Sequence, residues 1–227
     1  MTAFFITSSG TEIGKTFVAC ELAKALRGRQ RHVHLLKPVI SGFDPEEIEV
    51  SDSFKLLESI GVPPTLANIT AISPWQFKAP LSPDMAASRE GRRISLSELK
   101  GFCQEQISQS QDLVFVEGVG GVMVPINENT TVLDWISVLG LPTIVIVGGY
   151  LGTISHTLTT LAALASRDIK VPYVIVNESE ENPVPIAETA ATIKRFVPTS
   201  HVLTMSRTPD NQMSEQELML LIDVLDI

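Results

Sequence analysis

A small set of side chains in this sequence has the types and surroundings for phosphate chemistry: Lys15 with Thr16, a second lysine at position 37, and the carboxylates Asp52 and Glu117. Lys15 and Thr16 close the stretch Thr7 to Thr16, Thr-Ser-Ser-Gly-Thr-Glu-Ile-Gly-Lys-Thr, which follows the apolar run Ala3-Phe4-Phe5-Ile6. That order reads as a strand, a turn of small residues and a helix start. Unpaired backbone N–H groups at a helix N-terminus, together with the helix dipole, hold an anion. The lysine then adds a full positive charge and the threonine a hydroxyl for a phosphate-bound Mg²⁺. The strict pattern G-x-x-x-x-G-K-[ST] calls for glycine at position 9, where this chain has Ser9. Ser9, Gly10 and Gly14 are still small enough for close backbone approach to a phosphate.

Lys37 follows the apolar strand Val33 to Leu36 and precedes Pro38. Proline lacks an N–H and restricts the residue before it, so Lys37 is held extended at the strand end. Ser41-Gly42 make a short polar turn just beyond. Asp52 lies in Ser51-Asp52-Ser53, ahead of Phe54, Leu56, Leu57 and Ile60, where it is either a helix-cap acid or a ligand. Glu117 ends the apolar run Leu113-Val114-Phe115-Val116 and is followed by Gly118-Val119-Gly120-Gly121. An acid at a strand end before glycines, which permit close backbone approach, is a metal-site signature. Mg²⁺ takes oxygen ligands from one or two carboxylates, phosphates and water, a set that Thr16, Asp52 and Glu117 can complete. Lys37 then exceeds what nucleotide binding needs. A second cation near the γ-phosphate suggests phosphoryl transfer to an acceptor that is itself anionic.

The elements that must position these groups follow from periodicity and turn residues. Phe17, Val18, Leu22, Ala25 and Leu26 give one apolar side to a helix ending near Gly28, and the helix after Ser51 stops at Gly61 and Pro63. Ile72 to Pro83, with Pro74, Trp75, Phe77, Pro80 and Pro83, reads as a proline-broken loop that packs as a lid or an interface edge. Helices are expected from Asp84 to Glu90, from a Ser95/Glu98 capping box to Gln109, from Thr153 to Arg167 and from Ile186 to Arg195. Strands are expected at Leu113 to Val116, Thr143 to Val147, Val171 to Val176 and His201 to Met205. A polar loop from Ser206 to Gln212 leads to a last helix capped by Ser214, with Glu217 at the box position. Strands alternating with helices predict an α/β fold: one domain over residues 1–227, a doubly wound, mostly parallel sheet with helices on both faces, of the P-loop NTPase kind. In such a sheet Thr7 to Thr16, Lys37 to Ser41, Glu117 to Gly121, Gly148 to Thr153 and Asn177 converge at the edge where the strands end.

Composition sets the outer limits. An apolar content of 44% over 227 residues supports one large core. The 17 basic against 26 acidic residues leave a formal charge of -9, which repels a nucleic-acid backbone unless cations are gathered in a patch. The one basic run, Arg27 to Arg31, falls at a helix end. No apolar run reaches membrane-spanning length, and the N-terminal stretch has neither a basic region nor an A-x-A cleavage site, so a cytoplasmic protein is expected. Cys20 and Cys103 are isolated and are read as buried, reduced thiols.

Taken together, Gly10-Thr11-Glu12-Ile13-Gly14-Lys15-Thr16, Lys37-Pro38-Val39-Ile40-Ser41-Gly42, Ser51-Asp52, Val116-Glu117-Gly118-Val119-Gly120-Gly121, Leu151-Gly152 with Ile154 and His156, and Asn177 resemble the dethiobiotin synthetase family. The resemblance spans about the whole chain in the right order. It implies ATP-dependent carboxylation of 7,8-diaminopelargonic acid by CO₂, through a carbamate that takes the γ-phosphoryl group, then ring closure and release of phosphate, in biotin synthesis. It further implies that Lys37, Lys15 and Thr11 stabilise carbamate and phosphoryl charge. Thr11, Lys37, Ser41, Gly152 and Ser155 would contact the substrate, and Thr16, Asp52 and Glu117 would hold Mg²⁺. ATP would meet Glu12 to Phe17 (Ile13, Gly14, Lys15 and Thr16 between them), Asp52, Glu117, Gly118, Val119, Gly120, Asn177, Glu178, Ser206 and Arg207, with Asn177 reading adenine. A homodimer with a shared substrate pocket is also implied.

The chain departs from the family pattern in identifiable places. Ser8-Ser9-Gly10-Thr11 stands where Gly-Thr-Asp-Thr is usual, Tyr150 where lysine is common, and Ser155 where asparagine is common. Thr189 stands where the family can have a tyrosine, and Ser206-Arg207 replaces a more apolar, proline-containing contact to the base. The main rival is a regulatory or partitioning ATPase of the same superfamily. Such proteins carry an extra lysine early in the loop, where this chain has Gly10, and lack the Lys37-to-Gly42 element. A GTP-binding module would need N-K-x-D where this chain has Asn177-Glu178-Ser179-Glu180. A cobyrinate-type amidotransferase would need a second domain, and a catalytically silent domain of this fold is separated by diamine-dependent ATP turnover.

Overall fold

The structure, a computed structural model, describes residues 3–207 together with residues 217, 219, 222 and 223. In chain order its elements are β1 Ala3–Ser8, α1 Lys15–Gly28, β2 Val33–Leu36, β3 Val39–Ser41, α2 Asp52–Ser59, α3 Leu66–Ile72, β4 Trp75–Phe77, α4 Pro83–Arg89 and α5 Leu96–Gln109. There follow β5 Leu113–Glu117, α6 Val132–Leu139, β6 Thr143–Gly148, α7 Thr153–Ala165, β7 Tyr173–Asn177, α8 Ile186–Phe196 and β8 His201–Met205. The proposed cap at Ser214 lies outside the described residues, as does the loop beyond Arg207.

Six strands form one parallel sheet in the order β2-β5-β1-β6-β7-β8. β1, β5, β6 and β7 are buried along their whole length, which is why they read as continuous apolar runs and not as alternating ones. The path from β1 to β2 runs one way across the sheet and the later steps run the other way. Right-handed crossovers therefore put helices on opposite faces. The packing agrees: α1 lies against α2, whereas α5 packs on α6 and α7 on α8. The reversal occurs at β1, so the crevice beside its carboxyl end is the place where such a sheet takes a ligand. The registers aim the site residues there: Ile6 pairs with Glu117 and Gly148 with Asn177.

Four elements, β3, β4, α3 and α6, differ from the sequence expectation. Trp75–Phe77, expected as loop, is β4, and it pairs in parallel with β3, which places Ser41 at a strand end beside Phe77. Strands of three residues are too short to show a period, and their pairing is a long-range event. α3 and α6 likewise have no counterpart among the helices expected from the sequence. The start of α6 is fixed by Asp134, whose carboxylate accepts from the Thr131 N–H and hydroxyl at 2.9 Å each, an aspartate version of the box usually signalled by Glu or Gln. At α5, by contrast, the Ser95 hydroxyl accepts the Glu98 N–H at 3.4 Å. α6 matters to the site because its buried Trp135 meets Phe5 edge to face, with centroids 4.8 Å apart, and so backs the strand that feeds the phosphate loop.

Candidate functional site

The loop between β1 and α1 delivers Lys15 as the first residue of its helix. Gly14 caps that helix at φ 96°, a left-handed conformation that L side chains rarely adopt. A Cβ at position 14 would lie 2.3 Å from Asn177 Nδ2, so glycine is also required by the amide packed against it. Glu12 holds a left-handed φ of 58°, a local strain within the loop. Lys15 turns back on the loop: its ammonium donates to Ser8 Oγ at 3.0 Å and to the Gly10 carbonyl at 3.2 Å. The Ser8 hydroxyl in turn reaches the Gly10 and Gly120 carbonyls. A Cβ at Gly121 would stand 3.3 Å from Gly10 N, which shows how closely the Glu117–Gly121 segment lies against the phosphate loop.

Lys37 arrives from the end of β2 and is 3% exposed; Glu117, at the end of β5, is 2% exposed. The Lys37 ammonium donates to Glu117 Oε1 at 2.6 Å and to the Gly118 carbonyl at 2.9 Å, and it lies 3.4 Å from Asp52 Oδ2. The Thr16 hydroxyl donates to the same Glu117 oxygen at 2.8 Å. The ambiguity over Asp52 is resolved by its neighbour: Ser51 Oγ accepts the Phe54 N–H and caps α2, which leaves the Asp52 carboxylate to face Lys37. Burial disfavours the charge on Lys37, yet the Glu117 and Asp52 carboxylates outweigh it and raise its pKa above the ordinary lysine value. Lys15 goes the other way. Burial, and then repulsion from Lys37, lower it to about 8. Burial works against ionisation of Asp52, but the Lys37 charge holds its carboxyl below the usual carboxylate range.

These groups open onto a cavity of about 650 Å³ lined by Thr11, Glu12, Gly14, Lys15, Thr16, Lys37, Ser41, Asp52, Val119 and Gly120. Ile40, Phe43, Val50 and the segment Pro80 to Pro83, the last part of the proline-rich stretch, line it as well. Buried oxygens with no partner mark the same sheet edge: Ser9 Oγ, Ser41 Oγ, Glu117 Oε2 and Asn177 Oδ1. Such orphans are costly unless a ligand completes them. The donor set fits Mg²⁺. Glu117 Oε2 is free, the Thr16 hydroxyl has spent its proton on Glu117 and keeps its lone pairs, and the Asp52 side chain is 44% exposed toward the cavity.

The remaining sequence candidates sit farther along the edge. Asn177 donates from Nδ2 to the Ile13 carbonyl at 2.9 Å and leaves Oδ1 unpaired. Ser206 bonds Glu217, and the Arg207 N–H donates to Glu178 at 2.7 Å, while its guanidinium lies 3.7 Å from the exposed Glu180. Phe17 is half-buried in the first turn of α1, and Gly118 is buried beside Phe5. Gly152 and Ser155, exposed at the start of α7, do not line the cavity, and neighbouring Leu151 is 85% exposed. Sequence reasoning missed Ser8 as the tether of Lys15. It counted that serine only as a departure from pattern, although a hydroxyl seven residues before a phosphate-loop lysine is within folding-back distance.

Residues 2–214 match the AAA domain family. An ATP-dependent dethiobiotin synthetase of Acidiphilium cryptum is 44% identical over 214 residues, 92% of this chain and 95% of that protein. That of Phenylobacterium zucineum is 44% identical over 83% of this chain and 82% of its own, and that of Bacillus velezensis 34% identical over 81% and 76%. Among solved structures, the hydrogenase maturation factor HypB of Archaeoglobus fulgidus covers 99% of this chain and 90% of its own at TM-score 0.59 and 13% identity. A ParA family ATPase of Chlorobium tepidum covers 99% and 92% at 0.56 and 13%. At such identity these two speak for the P-loop fold alone. With a parallel sheet of that fold, a phosphate loop facing a lysine-carboxylate cluster, and relatives matched over most of their length, the chain belongs to the ATP-dependent dethiobiotin synthetase family.

Proposed function

We propose that this protein carries out its family's reaction, the Mg-ATP-dependent conversion of 7,8-diaminopelargonic acid and CO₂ to dethiobiotin, ADP and phosphate in biotin biosynthesis. The observation that carries the reading is Lys37: a buried ammonium, delivered by a different strand from the phosphate loop, beside the Glu117 and Asp52 carboxylates and opening on the same cavity as Lys15. A neutral substrate amine attacks CO₂, the N–C bond forms and the amine proton leaves to solvent. The resulting carbamate is anionic, and Lys37 is the fixed cation that stabilises it. A carbamate oxygen then attacks the γ-phosphorus as the bond to ADP breaks. Lys15 and Thr11 compensate the charge spread over the transferring phosphoryl group. The second amine closes the ring on the carbonyl carbon and expels phosphate.

Thr16, Asp52 and Glu117 would hold Mg²⁺, which when bound neutralises phosphate charge. Ser41, with its unpaired hydroxyl, binds the substrate, and the Glu12 to Phe17 backbone with Gly118, Val119 and Gly120 cradles the nucleotide. Asn177 Oδ1 accepts from the adenine amine, with Glu178, Ser206 and Arg207 beside the base. Gly152 and Ser155, exposed and away from the cavity, serve the substrate tail in a second copy of the chain, which makes the active form a homodimer. No described helix is long and apolar enough to cross a membrane. A cytoplasmic location fits a reaction that draws on ATP. The test is ATP turnover with bicarbonate and Mg²⁺, with and without the diamine, followed by product mass. ATP hydrolysis indifferent to the diamine would return the protein to the regulatory ATPases, and a fully active monomer would remove the shared pocket.

A further inference from the structure

The three protons of the Lys37 ammonium face three acceptors: Glu117 Oε1, the Gly118 carbonyl and Asp52 Oδ2. Two of the three belong to the carboxylates assigned above to the metal. At rest, Lys15 and Lys37 balance Asp52 and Glu117, two positive charges against two negative. A dication added to the same carboxylates without nucleotide brings four positive charges against two. An ammonium 2.6 Å from Glu117 Oε1 is repelled by a dication that takes the free Oε2 of the same carboxylate, and in a buried site that repulsion is strong.

We propose that Lys37 is the resident cation of the metal site: it occupies the Asp52 and Glu117 carboxylates while no metal is bound and is displaced from them into the cavity when a divalent metal takes those carboxylates. The inference rests on the reading of Thr16, Asp52 and Glu117 as the ligands. It accounts for how two carboxylates, one of them 2% exposed, have a cationic partner in a folded protein without metal. It also gives Lys37 two positions with separate tasks. On the carboxylates it holds the site together, and off them it is free for the anion formed on the substrate. The two phosphate-site lysines thus differ in kind. The resting partners of Lys15 are neutral oxygens of its own loop, which no metal competes for.

The experiment uses Mn²⁺ as a paramagnetic probe, titrated against the full chain without nucleotide. Wild type is expected to bind it weakly, and Lys37→Met, which keeps the length and loses the charge, at least tenfold more tightly. Mn²⁺ should also raise the Tm of Lys37→Met more than that of wild type, since it replaces the missing counter-charge. Binding by Lys37→Met that is equal to or weaker than wild type overturns the proposal. Asp52→Asn and Glu117→Gln, titrated with Mn²⁺ and a non-hydrolysable ATP analogue, test the ligand assignment separately. If they bind as wild type does, the assignment itself fails. If they bind worse while Lys37→Met gains nothing, the ligands stand and the exchange alone is wrong. Should Lys37→Met not fold, crystal structures of wild type with and without the Mn²⁺-analogue complex decide: Lys37 Nζ out of reach of Glu117 in the loaded form supports exchange, and Nζ still bonded to Glu117 refutes it.

Discussion

The carboxyl edge of the sheet has two halves built on different principles. Where β1, β2 and β5 end, lysine and carboxylate side chains are already paired, the buried Lys37 and Glu117 at 2.6 Å and Lys37 with the half-exposed Asp52 at 3.4 Å. Where β6, β7 and β8 end, the groups are neutral or exposed: the Asn177 amide, the Ser206 hydroxyl, an Arg207–Glu180 pair at 3.7 Å on the surface, and Tyr150 bonded to His156 at 2.9 Å. Charges that must act on a transition state are costly to bury without partners, so the first half pairs them before any ligand arrives. Recognition of a base or an alkyl tail can be met by several side chains. The departures from family pattern at Tyr150, Ser155, Thr189 and Ser206-Arg207 accordingly fall in the second half, and Ser8 to Gly10 is the exception in the first.

The largest effect is expected where that contrast is sharpest. Lys37→Gln should lower kcat by about a hundred- to a thousandfold, the loss of about 2.7–4 kcal/mol typical of removing one stabiliser of a developing oxyanion. ATP affinity measured without the diamine should change far less. A parallel collapse of ATP affinity would merge Lys37 with the phosphate loop and blur the division. Next, Asp52→Asn and Glu117→Gln should raise the Mg²⁺ needed for half-maximal rate by roughly 10–100-fold, a loss typical of weakening a metal's protein shell. A variant with wild-type Mg²⁺ dependence would mark that acid as structural.

pH separates the halves without mutation. Lys15, lowered to about 8 by burial and by Lys37, is charged below that pH and neutral above it, whereas bound phosphate favours its charged form. Nucleotide affinity, read by calorimetry, is therefore expected to be flat below pH 8 and to fall by up to about tenfold per pH unit above it. In the base half, Asn177→Ala should weaken ATP by about tenfold at every pH, the share of a buried hydrogen bond of roughly 1–1.5 kcal/mol. A fall that steepened with pH would tie the amide to the charged cluster. The smallest effect is expected at Tyr150→Phe. It deletes an exposed hydrogen bond to His156, and about a two- to threefold change in diamine KM, with kcat intact, is the anticipated result.

The sequence alone determined the phosphate loop, because strand, small residues and Gly14-Lys15-Thr16 are contiguous and their conformation is local. It also determined the parallel sheet, whose strands announce burial on both faces by unbroken apolar runs, and the placing of Lys37 by Pro38. It could not show β3 and β4 pairing, since three-residue strands have no period and meet only across 36 positions of chain, Val39 against Trp75. Nor could it show that Ser51, and not Asp52, caps α2, because both are good caps and the choice depends on Lys37 standing opposite. The tether of Lys15 by Ser8 and the holding of Lys37 by Glu117, Gly118 and Asp52 were likewise tertiary decisions. Residue type and spacing specify which charges a site will own, whereas their partners are fixed only when strands distant in sequence end side by side and burial forces each charge to find one.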